Sequence, residues 1–392
     1  MDEFKIYTSD ISRYLFYITH IDNIPSMLQN GILSHNLIEQ ENLDYTPIYD
    51  REIVSNRKEK MVNGKSLWHF ANLYFQPRNP MLYRVTMEKS PDVIAVVAVD
   101  KKILDTSNAF ITDGNAASEP TKFYPNTNFK IIEKQISRIT DLQWWTESNA
   151  TKRQIMAECL VPERIPPEFI RAIYVSNHEL ADKIRQSVSS SVSVIPEPSM
   201  FFQPVRKIPL TNNLSLVEGD LFFSKMQTLT VSVNCIGIMG KGLASRAKYQ
   251  FPDVYVYYQD QCKRKTLRMG KPVLYQREGP YHQQIADDPS SLGNRTDTWF
   301  LLFATKQHWR DNSDINGIEK GLQWLLDNYE RVGIKSLAIP ALGCGLGRLR
   351  WEDVGPILCK YLSKMDIPVW VYLPAEKQLS NDLLTKEFLL DD

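Results

Sequence analysis

Several things are scarce in this chain, and each scarcity excludes something. Its five cysteines (Cys159, Cys235, Cys262, Cys344 and Cys359) are odd in number, scattered and never spaced as CxxC. Neither a disulfide scaffold nor a structural zinc site reads from them. No sign of charge is in excess, because 46 Lys and Arg balance 46 Asp and Glu. That argues against a generally basic coat, though not against a local cationic groove. Long apolar runs are missing too: the longest, Val93 to Val99, falls far short of the ~20 residues that span a bilayer. The opening residues Met1 to Lys5 lack the basic start and apolar stretch of a signal peptide. A cytoplasmic enzyme or binding protein, without membrane or structural metal, is the expectation.

Glycine is scarce in one half only. Residues 1–205 hold Gly31, Gly64 and Gly114, and the remaining 14 of 17 lie beyond. The 392 residues also exceed the roughly 250–300 at which single cores stop growing. Between the halves, Ser187 to Leu210 is rich in serine and carries Pro196, Pro198, Pro204 and Pro209, the composition of a linker. The expected organisation is therefore an α/β protein of two domains, 1–205 and 211–392, joined by a linker at about 187–210. In the first half a helix is expected from Asn23, as its cap, to a stop at Gly31. Strand-like runs follow at Asn72 to Phe75, Leu82 to Val85 and Val93 to Val99, then turn-rich sequence to Trp144 and a helix from Asn177. The second half alternates more regularly. Strands are expected at Thr228 to Asn234, Ser336 to Leu342 and Val369 to Leu373. Helices are expected from about Gly242 and Glu352, and along the stripe of Ile318, Leu322, Leu325, Leu326 and Tyr329.

Two glycine clusters each follow a strand end in that half: Gly237, Ile238, Met239, Gly240, Lys241 and Gly242, then Gly343, Cys344, Gly345, Leu346 and Gly347. Glycine there lets backbone N–H groups approach a phosphate, and a following helix start adds positive potential. Neither cluster is a Walker loop or a GxGxxG dinucleotide fingerprint. One such turn is ordinary turn geometry; two at the carboxyl ends of strands in one domain point to a diphosphate ligand.

Asn234 to Gly242, Ala304 to Arg310 and Pro340 to Gly347, in that order, resemble the macrodomain of DarG-type antitoxins. They are also similar to the related macrodomains that release terminal ADP-ribose. The resemblance covers about residues 211–375 and implies a three-layer α/β/α fold that binds ADP-ribose. It implies that Asp220 lies near the adenine amino group. Asn234, Thr305 and the two glycine loops would hold the distal ribose and diphosphate. Lys306 matches the family's catalytic lysine, whose amine attacks the anomeric carbon and releases the modified base through a Schiff-type intermediate.

In the first half, Glu158 stands inside the otherwise apolar run Gln154 to Val161. A lone acid there is either an edge-strand residue, a partner for a basic group, or a carboxylate that steadies a developing cation. Arg57 sits in a charged stretch that by itself reads as a solvated face. Tyr17 to Asn23, Leu73 to Tyr83 and Arg153 to Val161 resemble, in order, the DarT toxin family, which ADP-ribosylates bases in single-stranded DNA. That resemblance covers about residues 12–185 and implies a mixed α/β transferase domain of small packed sheets. It implies that Glu158 is the catalytic glutamate and Arg57 the active-site arginine. Tyr17, Thr19, His20, Asn23 and Tyr74 would contact NAD. Arg78, Trp144, Trp145 and Arg153 would face the DNA, the two indoles stacking on an unpaired base or serving as plain core aromatics.

The combined expectation is a fused toxin–antitoxin pair. One half writes ADP-ribose from NAD onto a base in single-stranded DNA, thymine before guanine, and the other removes it. No metal is needed, and an intramolecular contact between the domains would fit. The competing class is an inactive DNA-binding domain joined to an ADP-ribose reader; transfer to RNA or protein is a third.

Overall fold

The computed structural model describes residues 11–49, 56–105, 108–146, 150–188, 192–278, 282–287, 297–374 and 378–390. These divide into two compact units. One runs to Gln203 and takes in His282 to Asp287; the other begins at Pro204 and holds the rest.

The first unit is built on an eight-stranded sheet. Its spatial order is Ser193–Pro196, Ile170–Val175, Ile94–Asp100, Tyr14–His20, Phe70–Tyr74, Glu158–Pro162, Phe110–Thr112 and Phe123–Pro125. Neighbours are antiparallel except the parallel pair Ile170–Val175 and Ser193–Pro196. The central neighbours Tyr14–His20 and Phe70–Tyr74 meet at one register position only, Phe16 opposite Tyr74. Elsewhere pairing is extensive, with all seven residues of Tyr14–His20 matched to Ile94–Asp100. In place of the expected small packed sheets stands one eight-stranded sheet, whose two four-stranded halves are joined through that single register pair.

Side chains alternate across a strand, and the sheet uses this. Leu73, Val97, Val99, Cys159 and Val161 face a core shared with Ile132, Ile136 and Ile139 and with Leu180, Ala181 and Ile184. The first trio belongs to an amphipathic helix, Phe129–Thr140, and the second to His178–Ser187. Glu158 and Leu160 lie on the opposite face by the same alternation. Asn177 caps the second helix, its side chain accepting from the Leu180 N–H.

Four local expectations change. The stretch expected as turn-rich up to Trp144 holds the strands Phe110–Thr112 and Phe123–Pro125 and the helix Phe129–Thr140. Leu82 to Val85 is not a strand but part of the helix Pro80–Glu88, because Asn79 caps it and Pro80 opens its first turn. Asn23 precedes the helix Ile24–Asn30 without capping it; its amide instead bonds the Thr46 N–H and C=O, at 2.8 and 2.9 Å. The serine- and proline-rich stretch is no free linker. Ser193–Pro196 is a strand of the first unit, and Arg206–Pro209 pairs with Leu214–Glu218 in the second.

The second unit carries a seven-stranded sheet in the order Arg206–Pro209, Leu214–Glu218, Val369–Tyr372, Leu337–Pro340, Thr228–Asn234, Trp299–Lys306 and Val273–Tyr275. Its five inner strands are parallel and both edges antiparallel. Leu301 and Phe303 point into a core with the helices Ile315–Asn328 and Trp351–Leu362. Phe300, on the other face, meets Phe251 with ring centroids 4.8 Å apart, at the junction of the helices Gly242–Gln250 and Pro252–Lys263. Helices on both faces make the three-layer α/β/α arrangement. Among the described residues no helix is long and apolar enough to cross a membrane, and no cluster of His, Cys, Asp or Glu is arranged to hold a metal ion.

Candidate active sites

Glu158 is fully buried, and the first unit surrounds its carboxylate with donors. Arg57 approaches it with both terminal nitrogens, Nη2 to Oε2 at 2.8 Å and Nη1 to Oε1 at 3.2 Å. The Ala116 N–H donates to Oε1 at 2.9 Å. Thr112 completes the frame: its hydroxyl oxygen accepts from the Glu158 N–H at 2.8 Å. Two parallel guanidinium bonds fix the carboxylate in plane and direction, which a single lysine would not do. Burial works against the charge on Arg57, but Glu158 more than offsets it and its pKa is raised. Of the readings open for a lone acid in an apolar strand, the structure shows an inner strand and a basic partner. Neither Ala116 nor Thr112 carries a signal in the sequence that links it to Glu158.

Tyr74 stands opposite Glu158 across the adjacent strand. Its phenol is buried, donates to the Met81 sulfur at 3.0 Å, and has its pKa raised well above the ordinary value by burial first and Glu158 next. An aromatic group that the sequence had not marked lies within electrostatic reach of Arg57. His35 stacks on Trp68 at 4.3 Å, and its ring also meets the Tyr49 hydroxyl at about 3 Å. Burial first, then Arg57, brings the His35 pKa down to about 4. Tyr17 is pushed up to about 12 by burial, with Tyr45 adding and Arg57 opposing. Tyr17, Tyr74, His35 and Glu158 are therefore all within electrostatic reach of one guanidinium.

The other first-half candidates fall into two groups. Thr19 is buried and accepts from Asn23 Nδ2 at 3.1 Å, and His20 Nδ1 accepts from the Asp22 N–H at 3.2 Å. These two and Asn23 shape the strand end after Tyr17. The residues expected at DNA are differently placed. Arg78 is 1% exposed, donates to the Gln143 carbonyl at 3.2 Å and lies 4.7 Å over the Phe202 ring. Trp145 is also 1% exposed, edge-on to Phe202, and its indole donates to the Ile285 carbonyl at 2.9 Å. Both are core side chains, which corrects their expected position at an open DNA surface. Arg153 is committed to Asp113 at 2.8 Å and to Thr121 at 3.0 Å. Trp144 is half-buried.

In the second unit both glycine loops are stapled from behind. Asn234 holds the first: its amide donates to the Ile238 carbonyl at 2.6 Å and accepts from the Ile236 N–H at 3.1 Å. Tyr258 fixes Asn234 in turn, bonding its carbonyl and side-chain oxygens at 2.9 Å each. Gly237 and Gly242 have positive φ, 86° and 59°, which only glycine adopts at no steric cost. The second loop is packed so closely that a Cβ at Gly347 would lie 2.5 Å from the Gly343 carbonyl oxygen. The loops meet: a Cβ on Gly242 would be 3.3 Å from Leu346 Cδ1.

Lys306 ends the strand Trp299–Lys306 between these loops. Its ammonium donates to the Asp311 carbonyl at 2.8 Å and the Leu346 carbonyl at 3.2 Å. Burial and Arg348 lower its pKa, with Asp311 opposing, a shift toward the free amine that a nucleophile needs. Thr305, just before it, is buried and receives the Asp314 N–H at its carbonyl. Met239 packs inward at 2% exposed, whereas Ile238, Gly240, Lys241, Gly345 and Leu346 line the open side; Cys344 is half-buried. Asp220 is held by Arg246 Nη1 at 2.7 Å and by the Phe222 N–H at 3.1 Å. Arg246 was not singled out by sequence, although it lies over both Phe222 and Phe223.

Comparisons with known proteins agree with both halves. Residues 16–202 match the family described as ssDNA thymidine ADP-ribosyltransferase, DarT, and residues 299–358 match the Macro domain family. The DNA ADP-ribosyl transferase–DNA ADP-ribosyl glycohydrolase fusion protein of Thermosipho africanus is 54% identical over 97% of this chain and 98% of its own. A DNA ADP-ribosyl glycohydrolase of Thermus aquaticus is 33% identical over 44% of each chain. The solved structure of Thermosipho africanus DarTG in complex with ADP-ribose superposes with a TM-score of 0.93 at 54% identity, covering 97% of this chain and all of that one. With a carboxylate–guanidinium site in one unit, a lysine between glycine loops in the other, and likeness running through both, the chain belongs to the family that fuses a DarT-type single-stranded-DNA ADP-ribosyltransferase to a DarG-type ADP-ribosyl glycohydrolase macrodomain.

Proposed function

We propose that the first unit cleaves NAD at its nicotinamide–ribose bond and transfers the ADP-ribosyl group to thymine in single-stranded DNA, with Glu158 and Arg57 at the reacting centre. The observation that carries this is the buried bidentate pair they form. Nicotinamide leaves with the bonding electron pair, positive charge develops on the ribose, and a thymine ring nitrogen attacks and gives up its proton. A carboxylate already oriented by Arg57 and the Ala116 amide needs no reorganisation to face that charge. Tyr17 and Tyr74 fit as walls for NAD, with Thr19, His20 and Asn23 setting the entry. The family description supports thymine over guanine.

The second unit removes the same group. The two glycine loops suit a diphosphate and its ribose, and Asp220, fixed by Arg246, suits the adenine amino group. Lys306 attacks the anomeric carbon as a free amine; the base leaves with the bonding pair, and water then discharges ADP-ribose. A writer and its eraser in one chain form a toxin with its antitoxin. The test is to incubate the full-length Lys306→Ala chain with NAD and oligonucleotides that differ only in thymine or guanine content. An ADP-ribosyl mass added to thymine-containing strands supports the reading; addition only to guanine-containing strands replaces the base; no addition to any strand removes the transferase assignment.

A further inference from the structure

One stretch of the second half belongs by its packing to the first unit: the helix His282–Ile285 and the two residues after it. Asp287 Oδ1 accepts from Arg84 Nε at 2.6 Å, and the Arg84 side chain is only 2% exposed. Arg84 Nη1 also reaches Glu88 at 3.1 Å. The Ile285 carbonyl accepts the indole of buried Trp145. Arg84 lies on the helix Pro80–Glu88, one turn after Met81. The Met81 sulfur receives the phenol of Tyr74, and Tyr74 is the register partner of Glu158. A connected path thus runs from Asp287 through Arg84, its helix and Met81 to Tyr74, beside the reacting carboxylate.

We infer that Asp287 is a positioning residue for the transferase: it fixes Arg84 and the helix Pro80–Glu88, and through Met81 sets Tyr74 against Glu158. The transferase is thereby encoded discontinuously, and the first half of the sequence alone lacks one of its parts. Arg84 keeps Glu88 when Asp287 is lost, so one carboxylate remains and the guanidinium is not stranded, but the bond from Arg84 Nε to Asp287 that fixes its direction is gone. The inference rests on the transferase reading of the first unit.

The test uses the full-length chain and measures nicotinamide release from NAD in the presence of a thymine-containing oligonucleotide, which the macrodomain cannot reverse. Asp287→Asn, nearly isosteric, should lower kcat about tenfold or more, the scale expected when reacting groups are slightly misplaced, with the KM for NAD within about twofold. Asp287→Glu should recover part of the loss. Because the route passes through Tyr74, the losses from Asp287→Asn and Tyr74→Phe should be less than additive. Hydrogen exchange gives a readout independent of activity: Asp287→Asn should speed exchange of peptides from residues 70–88 and leave those from 228–278 unchanged. Wild-type kcat in Asp287→Asn, additive losses with Tyr74→Phe, or unchanged exchange at 70–88 would each overturn the inference. A loss explained wholly by a smaller folded fraction would overturn it as well. A wild-type chain that releases no nicotinamide, with exchange at 70–88 still sensitive to Asp287, would refute the transferase reading and leave the positioning path in place.

Discussion

The pair formed by Arg57 and Glu158 makes a prediction whose size follows from its burial. Glu158 is 0% exposed and Arg57 16%, so neither charge can turn to water when its partner is removed. At a separation of about 4 Å and an effective dielectric of about 20, opposite charges attract by about 4 kcal/mol. Removing one member of such a buried pair costs about 3–5 kcal/mol, because the other is left uncompensated, while replacing both by apolar groups of similar volume is often nearly neutral. Arg57→Met and Glu158→Leu should each destabilise the first unit by about 3 kcal/mol or more. The double variant should recover most of that, giving a coupling of at least about 2 kcal/mol. Urea unfolding of the full chain measures it, with hydrogen exchange of peptides from each unit assigning the transitions. Nicotinamide release should be lost in all three variants, including the stable double one, which separates chemistry from folding. Additive single costs, or single costs below about 1 kcal/mol, would refute the claim that the two charges are buried against each other.

Three further outcomes follow from the same geometry. His35, its pKa lowered from 6.5 to about 4, takes a proton more readily when the chain is unfolded, so its contribution is fully present above pH 6.5 and is lost as pH falls from there to about 4. The linkage amounts to about 3 kcal/mol, and His35→Phe should flatten that part of the urea-stability profile of the first unit. Gly347→Ala should lower ADP-ribose affinity tenfold or more by calorimetry, since its Cβ meets backbone at 2.5 Å, whereas Gly240→Ala should keep the loop, because its Cβ meets only Ile238 Cγ2 at 3.9 Å. The glycohydrolase rate on an ADP-ribosylated oligonucleotide should rise with pH through an apparent pKa below the lysine value of 10.5, and Lys306→Arg, which keeps the charge but supplies no free amine, should be inactive.

How much was legible beforehand depended on which physical quantity each feature needed. In the second unit three inner strands, Thr228–Asn234, Leu337–Pro340 and Val369–Tyr372, could be read as apolar runs, with the glycine loops and helix stripes between them. The inner strands Leu214–Glu218 and Trp299–Lys306, both edge strands and the helix Pro252–Lys263 were not named from the sequence. The first unit misled where local patterns competed. Leu82 to Val85 has strand composition, yet Asn79 and Pro80 form a helix-start signal that decides the conformation. The helix Phe129–Thr140 was readable from Phe129, Ile132, Ile136 and Ile139 at helical spacing, but the polar residues between them read as turns. Burial was not legible at all for Arg78 and Trp145. Their residue types suit DNA, and only tertiary packing against Phe202 shows that they are interior. Family resemblance marked Arg57 and Glu158 separately as active-site residues, but their pairing across 101 positions of sequence has no local signature and came only from the structure. The share of the first unit supplied by residues 282–287 could not be read either, because its contacts with Arg84 and Trp145 link positions 140 and more apart in sequence and leave no local pattern.

Glu158 is proposed to write what Lys306 erases. The most direct measurement is the amount of ADP-ribosylated oligonucleotide at steady state, by mass spectrometry, for four full-length chains with NAD: wild type, Lys306→Ala, Glu158→Gln and the double variant. Little adduct is expected with the wild type, a large accumulation with Lys306→Ala, and none with either chain that carries Glu158→Gln. Equal adduct with the wild type and Lys306→Ala would contradict the eraser, and adduct from the double variant at the level of Lys306→Ala would contradict the writer.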